Sequence, residues 1–498
     1  MATLISPTLT EKIYERTLHY FQALSKIPRS SGKEYKVADY LIAFAKEHGF
    51  SYRRTDDIVN QRQTCNVIIQ KAGTPGYEDL DILIFQSHID MVCQKASHSE
   101  HNFEKDPIQL QINGNLMTAI DTTLGADDGI GVAMTLAFLE STEISHPPLE
   151  ALFTSDEEDG MSGVQAIKGD LLKGRRLINI DSEDEGVFTY GCAGGINVNI
   201  ALPVAYENRN EEDSLLDVEI SGLIGGHSGV EIHKGRANAH LLLARTLNEI
   251  QNICKFRLVS ICGGNKGNVI TRAASATITI PKANQAQIMY LAEQSQTVFR
   301  HEYKGVETDI RVIIKENTAT PTRVLSAITT EKFLLCLLTV PNDVFAMHSQ
   351  VQGLVGTSCN LGVIAQMEDV LEIHSHIRSF SRTKKMYVVE IFKSLAKLLG
   401  ATFTTDHDYP DWAPNLKSDL IHRFQLAYES SFSDKKPQFE SIHAGLECGF
   451  ISMNYPDMDM ISCGPTVTGA HTTEETLYLD ATKRTVALLL HLLTQMKE

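Results

Sequence analysis

The feature that most restricts this chain is a set of short apolar runs that end in polar groups, most of them at a histidine or an acid. CNVIIQ (65–70), DILIFQSH (81–88), EALFTS (150–155) and RLINID (176–181) are strand-like, and their near-continuous apolar character is that of strands covered on both faces. GIGVAMTLAFLES (129–141) and GVQAIKGDLL (163–172) look helical between them. Residues 8–48 read as two amphipathic helices, the second stopping at Gly49 as a left-handed cap would make it. Such alternation predicts an α/β sheet, and ligands of an open α/β sheet bind beyond the carboxyl ends of its strands. The groups found there are His88 and Asp90, then Asp127 and Asp128 in GADDG, and Asp156, Glu157, Glu158 and Asp159 after EALFTS. Asp181 follows RLINI, and His471 lies in the glycine-rich ISCGPTVTGAH.

Taken singly, each has a structural explanation: GADDG can cap a helix N-terminus, and DEED can be a solvated turn. Together they form a donor set for a hard or borderline cation. Histidine and carboxylate without thiolate favour zinc, manganese or cobalt. The nine cysteines include no Cys-x-x-Cys pair, which speaks against a disulfide scaffold or a thiolate zinc site and for a reducing, cytoplasmic setting. A net charge of -17 speaks against a nucleic-acid partner, which needs clustered Lys and Arg. No membrane association is expected, since no stretch approaches the ~18 apolar residues of a span. MATLISPTLTEKIYE has no signal-peptide character.

After about residue 195 the texture changes. INVNIALPVAY, SLLDVEISGL, KFRLVSICG and SATITIP flank the helical GRANAHLLLARTLNEIQ and QAQIMYLAEQSQTVFRH, as in an α+β domain with helices on one face. After EIHSHIRSFS (372–381) and a helix at 384–399, the strand-like DMDMISCGP and a final helix return to the first texture. The expected architecture is a two-domain α/β protein. A discontinuous domain with a mixed sheet, 1–195 and 392–498, carries the cation site, and an α+β domain is inserted at 196–391.

SHIDMV, GADDGIGVA, SDEEDG, INIDSED, SGLIGGHSG and GPTVTGAH occur in this order over nearly the whole chain. The set resembles the zinc exopeptidases related to glutamate carboxypeptidase, aminoacylase and tripeptidase. GGHSGVEIHKGRANA (225–239) and HAGLECG (443–449) are similar to the aminoacyl-histidine dipeptidase branch, cytosolic enzymes that hydrolyse Xaa-His dipeptides including carnosine (β-alanyl-histidine). The resemblance implies two divalent ions per subunit, zinc first, with manganese or cobalt as alternatives. His88 and Asp181 would hold one ion and Glu158 and His471 the other, with Asp127 bridging ions ~3.5–4 Å apart. Asp90 would orient His88, and Glu157 would be the general base for a metal-bridging hydroxide. A cis peptide is implied at Asp127–Asp128. Family members usually carry Lys after the acid pair, where this chain has Gly129.

The same resemblance makes the inserted domain a lid and dimerisation domain, with the protein a homodimer. It makes His227 the donor to the oxyanion, commonly reaching in from a partner subunit. Arg378 would grip the carboxylate of a small peptide substrate, with Asn268 close by. Glu447 is the candidate for the substrate's α-ammonium, with His443 nearby if that segment is helical. His374 and His376 share a strand face and read as structural, and His98, His101 and His146 carry no role. Competing readings are an aminoacylase or another N-acyl amino acid hydrolase or tripeptidase on the same fold, a silent relative acting as a binding module, and a metal-dependent phosphatase or nuclease. Against the last, no basic phosphate-binding surface is visible.

Overall fold

In the computed structural model, which describes residues 7–432 and 435–497, the apolar runs become neighbours in one eight-stranded sheet. Its order is Ser51–Arg54, Val67–Lys71, Leu149–Thr154, Leu83–His88, Arg176–Asn179, Asp459–Ser462, Val187–Cys192, Gln438–Ile442. Leu83–His88 runs parallel to Leu149–Thr154 and to Arg176–Asn179, which in turn is parallel to Asp459–Ser462. Val67–Lys71 and Val187–Cys192 are antiparallel to their inner neighbours, so the sheet is mixed. Leu83–His88 and Leu149–Thr154 are buried along their whole lengths, which is why they lack polar alternation. Because four adjacent strands run the same way, the loops after His88, Thr154, Asn179 and Ser462 leave the sheet at one edge.

Pro7–Leu24, Tyr35–Glu47, Ala126–Glu140 and Leu479–Gln495 share the core of this sheet. Ala126–Glu140 is buried continuously from Asp128 to Leu139, as an all-round apolar helix must be. Gly131 lets it press on the strands, since a Cβ there would lie 2.5 Å from the Ile180 carbonyl oxygen and 2.6 Å from Ser87 Oγ. Phe138 stacks on Phe85 with ring centroids 5.5 Å apart, and burial of each ring contributes about 1.5–3 kcal/mol. The helix expected at 163–172 is only Ser162–Gln165. Gly169 turns the chain at φ 66°, and Gly174 abuts Ile84 so closely that a Cβ would come within 2.7 Å.

The second sheet has nine strands, all antiparallel where paired. Its order is Arg311–Glu316, Asp213–Ser221, Ala274–Pro281, Arg257–Gly263, Val355–Gln366, Val370–Ser379, Gly194–Pro203, Thr402–Tyr409, with Asp343–Met347 beside Val355–Gln366. Ala239–Ile253, Gln285–Glu302, Ala327–Thr339 and Arg382–Leu399 join the core that holds Val198, Ile200, Leu216 and Val218. The described chain divides into two compact units, one of residues up to Cys192, Pro414–Ser441 and Leu446 onward, the other Ala193–Ala413 with Ile442–Gly445. The inserted unit thus runs beyond residue 391. Val388, Phe392 and Ala396 belong to its core, and Thr402–Tyr409 pairs with Gly194–Pro203. Among the described residues no helix is long and apolar enough to cross a membrane.

Candidate metal centre

Leu83–His88 carries the His88 imidazole, 1 % exposed, to the sheet edge. Its Nε2 lies 3.0 Å from Asp127 Oδ1 and 3.4 Å from Asp181 Oδ1. His471, in the loop after Asp459–Ser462, places Nε2 3.1 Å from Asp127 Oδ2 and 2.9 Å from Glu158 Oε2. Asp127 therefore turns one oxygen to each histidine. The donors gather as His88–Asp127–Asp181 and Asp127–Glu158–His471, each within 4.8 Å, and His88–Glu157–Glu158 overlaps both. The peptide between Asp127 and Asp128 is cis, as implied. Asp156 and His471, at the turns of two of these loops, have φ of 56° and 64°, in the left-handed region that non-glycine residues enter only at a cost in backbone energy.

One carboxylate organises several of these groups. Asp90, 0 % exposed, faces His88 Nδ1 at 3.3 Å through Oδ1. Its oxygens also accept the Glu157 N–H at 3.0 Å and the Glu158 N–H at 3.1 Å. The Ser31 hydroxyl donates to Oδ2 at 2.8 Å. A carboxylate opposite Nδ1 favours a proton there, which would free Nε2, on the side of Asp127 and Asp181, to ligate a cation in place of its own proton. Buried Arg29 donates to the Asp90 carbonyl at 2.7 Å and to the Gly125 carbonyl. This contact accounts for Gly129: a Cβ there would lie 2.5 Å from Arg29 Nη2.

Glu475 is a supporting residue that no sequence pattern indicated. Its buried carboxylate accepts the N–H groups of Leu124 at 2.8 Å and Gly125 at 3.0 Å on one oxygen, and of Ala126 at 2.7 Å and Asp127 at 3.3 Å on the other. It follows His471 by four residues, so it ties the loop of one candidate ligand to that of another. In Glu475→Gln an amide NH2 would face backbone donors, leaving buried N–H groups unpaired. We expect divalent-metal affinity to fall about 10–100-fold, measured by calorimetric titration of the metal-free protein; unchanged affinity would separate Glu475 from the site.

The electrostatics favour cations. Burial works to raise the Asp127 pKa, but hydrogen bonds from His471 and His88 hold its carboxyl far below the usual range. Burial pushes Asp128 and Glu157 well up, and Asp181 up to about 6 with His88 opposing. Asp127 and Glu158 raise His471 to about 11. Crowded acids that outnumber their histidines are relieved by proton or cation uptake. Each triad also offers three oxygen or nitrogen donors, the number by which catalytic zinc is held with a position left open. The residues present therefore fit a pair of divalent cations.

The inserted unit gathers a second set. His227, in Gly226–His227, pairs with Val269, and the Asn268 carbonyl accepts the Ser228 N–H at 2.9 Å, which puts exposed Asn268 next to His227. The N–H groups of Gly229 and Val230 both donate to His227 Nδ1 at 3.3 Å, so the ring proton sits on Nε2. Burial and then Arg378 lower the His227 pKa to about 4, which keeps the ring neutral. Arg378 Nη2 stands 3.5 Å from that Nε2. Two donors thus face each other, an arrangement an anionic acceptor would satisfy.

Glu447 is 0 % exposed. Its Oε2 accepts from Gln86 at 2.6 Å and from Thr154 at 2.8 Å, while Oε1 has no hydrogen-bond partner. Burial pushes its pKa up to about 8. The helix begins at Glu447, with Leu446 extended at φ -140°, ψ 157°, so it does not carry His443 as the helical reading required. His443 belongs to the inserted unit's Ile442–Gly445 segment and meets Ser358 Oγ at 2.7 Å. There Gly445 lies so close to the Tyr409 ring that a Cβ would come within 2.7 Å.

Comparison with known proteins gives matches of nearly full length. The profile of Peptidase family M20/M25/M40 matches residues 84–495. The cytosol non-specific dipeptidase of Escherichia coli (strain K12) is 37% identical over 475 residues, covering 95% of this chain and 96% of the relative. The crystal structure of aminoacylhistidine dipeptidase from Vibrio alginolyticus superposes with a TM-score of 0.88 at 37% identity, covering 96% of both chains. Aminopeptidase PepT from Bacillus cereus shares the fold, with a TM-score of 0.57 at 15% identity over 97% of this chain and 99% of its own.

Proposed function

The chain belongs to peptidase family M20/M25/M40 and is a peptide-bond hydrolase, and we propose that it is a two-metal dipeptidase of the cytosol acting on short unblocked peptides, Xaa-His dipeptides including β-alanyl-histidine foremost. The observation that carries the proposal is the pair of donor triads sharing Asp127. The names of the E. coli and Vibrio proteins support the substrate class and the compartment.

His88, Asp127 and Asp181 would hold one cation, and Asp127, Glu158 and His471 the other, with zinc as the expected metal. Such ions, when bound, supply Lewis-acid activation of water and of the peptide carbonyl. The remaining work falls to the chain. Glu157, whose N–H is fixed on Asp90, takes the proton of the attacking water and passes it to the leaving amine. Asp90 keeps His88 oriented. His227 offers its Nε2–H to the oxyanion, and Arg378 offers its guanidinium edge to the substrate carboxylate beside Asn268. Glu447, through its unpartnered Oε1, is assigned to the α-ammonium. The inserted unit serves as lid and as the interface of a homodimer, in line with the resemblance.

Zinc-loaded protein should cleave β-alanyl-histidine and other unblocked dipeptides, spare N-acylated analogues, and lose activity to a chelator. Chelator-sensitive cleavage of the acylated compounds instead would make it a deacylase, and activity indifferent to chelator would remove the metal centre from the reaction.

A further inference from the structure

Resting on the reading that Arg378 takes the substrate carboxylate, we propose that Tyr409 is a positioning residue for that arginine, held at the head of a one-way hydrogen-bond relay through His376 and Asn197 to Asp406. The relay lies within the inserted unit. Arg378 is 5 % exposed, and Nη1 donates to Tyr409 Oη at 2.8 Å. Tyr409 Oη lies 3.1 Å from His376 Nε2, His376 Nδ1 lies 2.7 Å from Asn197 Oδ1, and Asn197 Nδ2 donates to Asp406 Oδ1 at 2.7 Å.

The donor directions follow from the two ends. A guanidinium can only donate and a carboxylate can only accept. Asn197 spends its amide N–H on Asp406, so its oxygen must accept from His376 Nδ1–H. His376 then presents a bare Nε2, which accepts a hydrogen bond from the Tyr409 hydroxyl, and the phenol oxygen turns its lone pair to Arg378. Burial, with Arg378 and His227 adding to it, keeps His376 neutral, as the relay requires. Asp406 also receives the Asn199 amide on its other oxygen at 2.7 Å, so two cross-strand branches converge on it.

The placement is built into the sheet. Asn197 stands opposite His376 on one neighbouring strand and opposite Asp406 on the other. The Tyr409 ring sits between Gly195 and Gly445, where a Cβ would come within 2.3 Å of Oη and 2.7 Å of Cε2 respectively. With Nη1 committed to Tyr409, the edge made of Nε and Nη2 remains. Nε has no partner, and Nη2 faces the Nε2 of His227. That edge is the one by which a guanidinium takes a carboxylate with two parallel bonds. Tyr409 thus sets which edge of Arg378 faces the substrate.

The test compares an unblocked dipeptide with its C-terminal amide on metal-loaded enzyme, with metal content and melting temperature measured alongside. In Tyr409→Phe, which keeps the ring in its slot, KM for the free acid should rise about tenfold with kcat changed less than about twofold. The preference for acid over amide should fall by the same factor. Asp406→Ala, at the half-exposed end of the relay, should cost about threefold in the same ratio. Arg378→Met distinguishes the two levels of the proposal. A preference lost in Arg378→Met but intact in Tyr409→Phe overturns the relay and leaves the carboxylate reading standing. A preference intact in Arg378→Met overturns both. If Tyr409→Phe does not fold, an unchanged ratio in Asp406→Ala and His376→Gln overturns the relay.

Discussion

Glu157→Gln is expected to lower kcat on an unblocked dipeptide by about 10²–10⁴-fold while the protein still binds two equivalents of divalent metal. Glutamine has the same shape but no basic oxygen, so it cannot accept the proton of the attacking water. The backbone N–H of residue 157 would keep its bond to Asp90, because that contact does not involve the side chain. Glu158, one residue on, provides the contrast: its Oε2 lies 2.9 Å from His471 Nε2, so Glu158→Gln should lose activity together with metal. The checks are metal analysis after dialysis and steady-state kinetics on both variants. A Glu157→Gln protein with normal metal and near-normal turnover would assign the base elsewhere, and joint loss of metal would move Glu157 into the ligand set.

The sequence was most legible where burial dictated composition. Leu83–His88 and Leu149–Thr154 are covered on both faces and so read as unbroken apolar runs, and the polar residues that follow them stand out. Parallel pairing then brings those residues to one edge, which is why His88, Glu158 and Asp181 stand out in the sequence as candidates; the pairing of ligands to ions rests on the motif resemblance. Supporting residues left no such trace. Arg29 and Glu475 act by satisfying backbone groups, a task that imposes no period. Thr402–Tyr409 is mostly exposed along its length and lacks apolar alternation, so only its pairing assigns it to the inserted unit. The contacts of His376 left no trace in the sequence either, because the side chains it meets belong to residues 197 and 409, on two other strands.

The other large effect should come from Asp127, the one residue common to both triads. Asp127→Ala leaves His88 with Asp181 and Glu158 with His471. Two protein donors per ion are fewer than the three that catalytic zinc sites use. The variant should therefore bind less than one equivalent of zinc at concentrations that saturate the wild type, and dipeptide hydrolysis should fall below detection. Stability gives an independent reading. A ligand that binds only the folded state stabilises it by about 2.7 kcal/mol at a hundred times its Kd, so zinc should raise the wild-type melting temperature by a few degrees and leave the variant unmoved. If Asp127→Ala kept two tightly bound ions, the two triads would not share a bridge, and the proton-handling role given to Glu157 would need a different pair of neighbours.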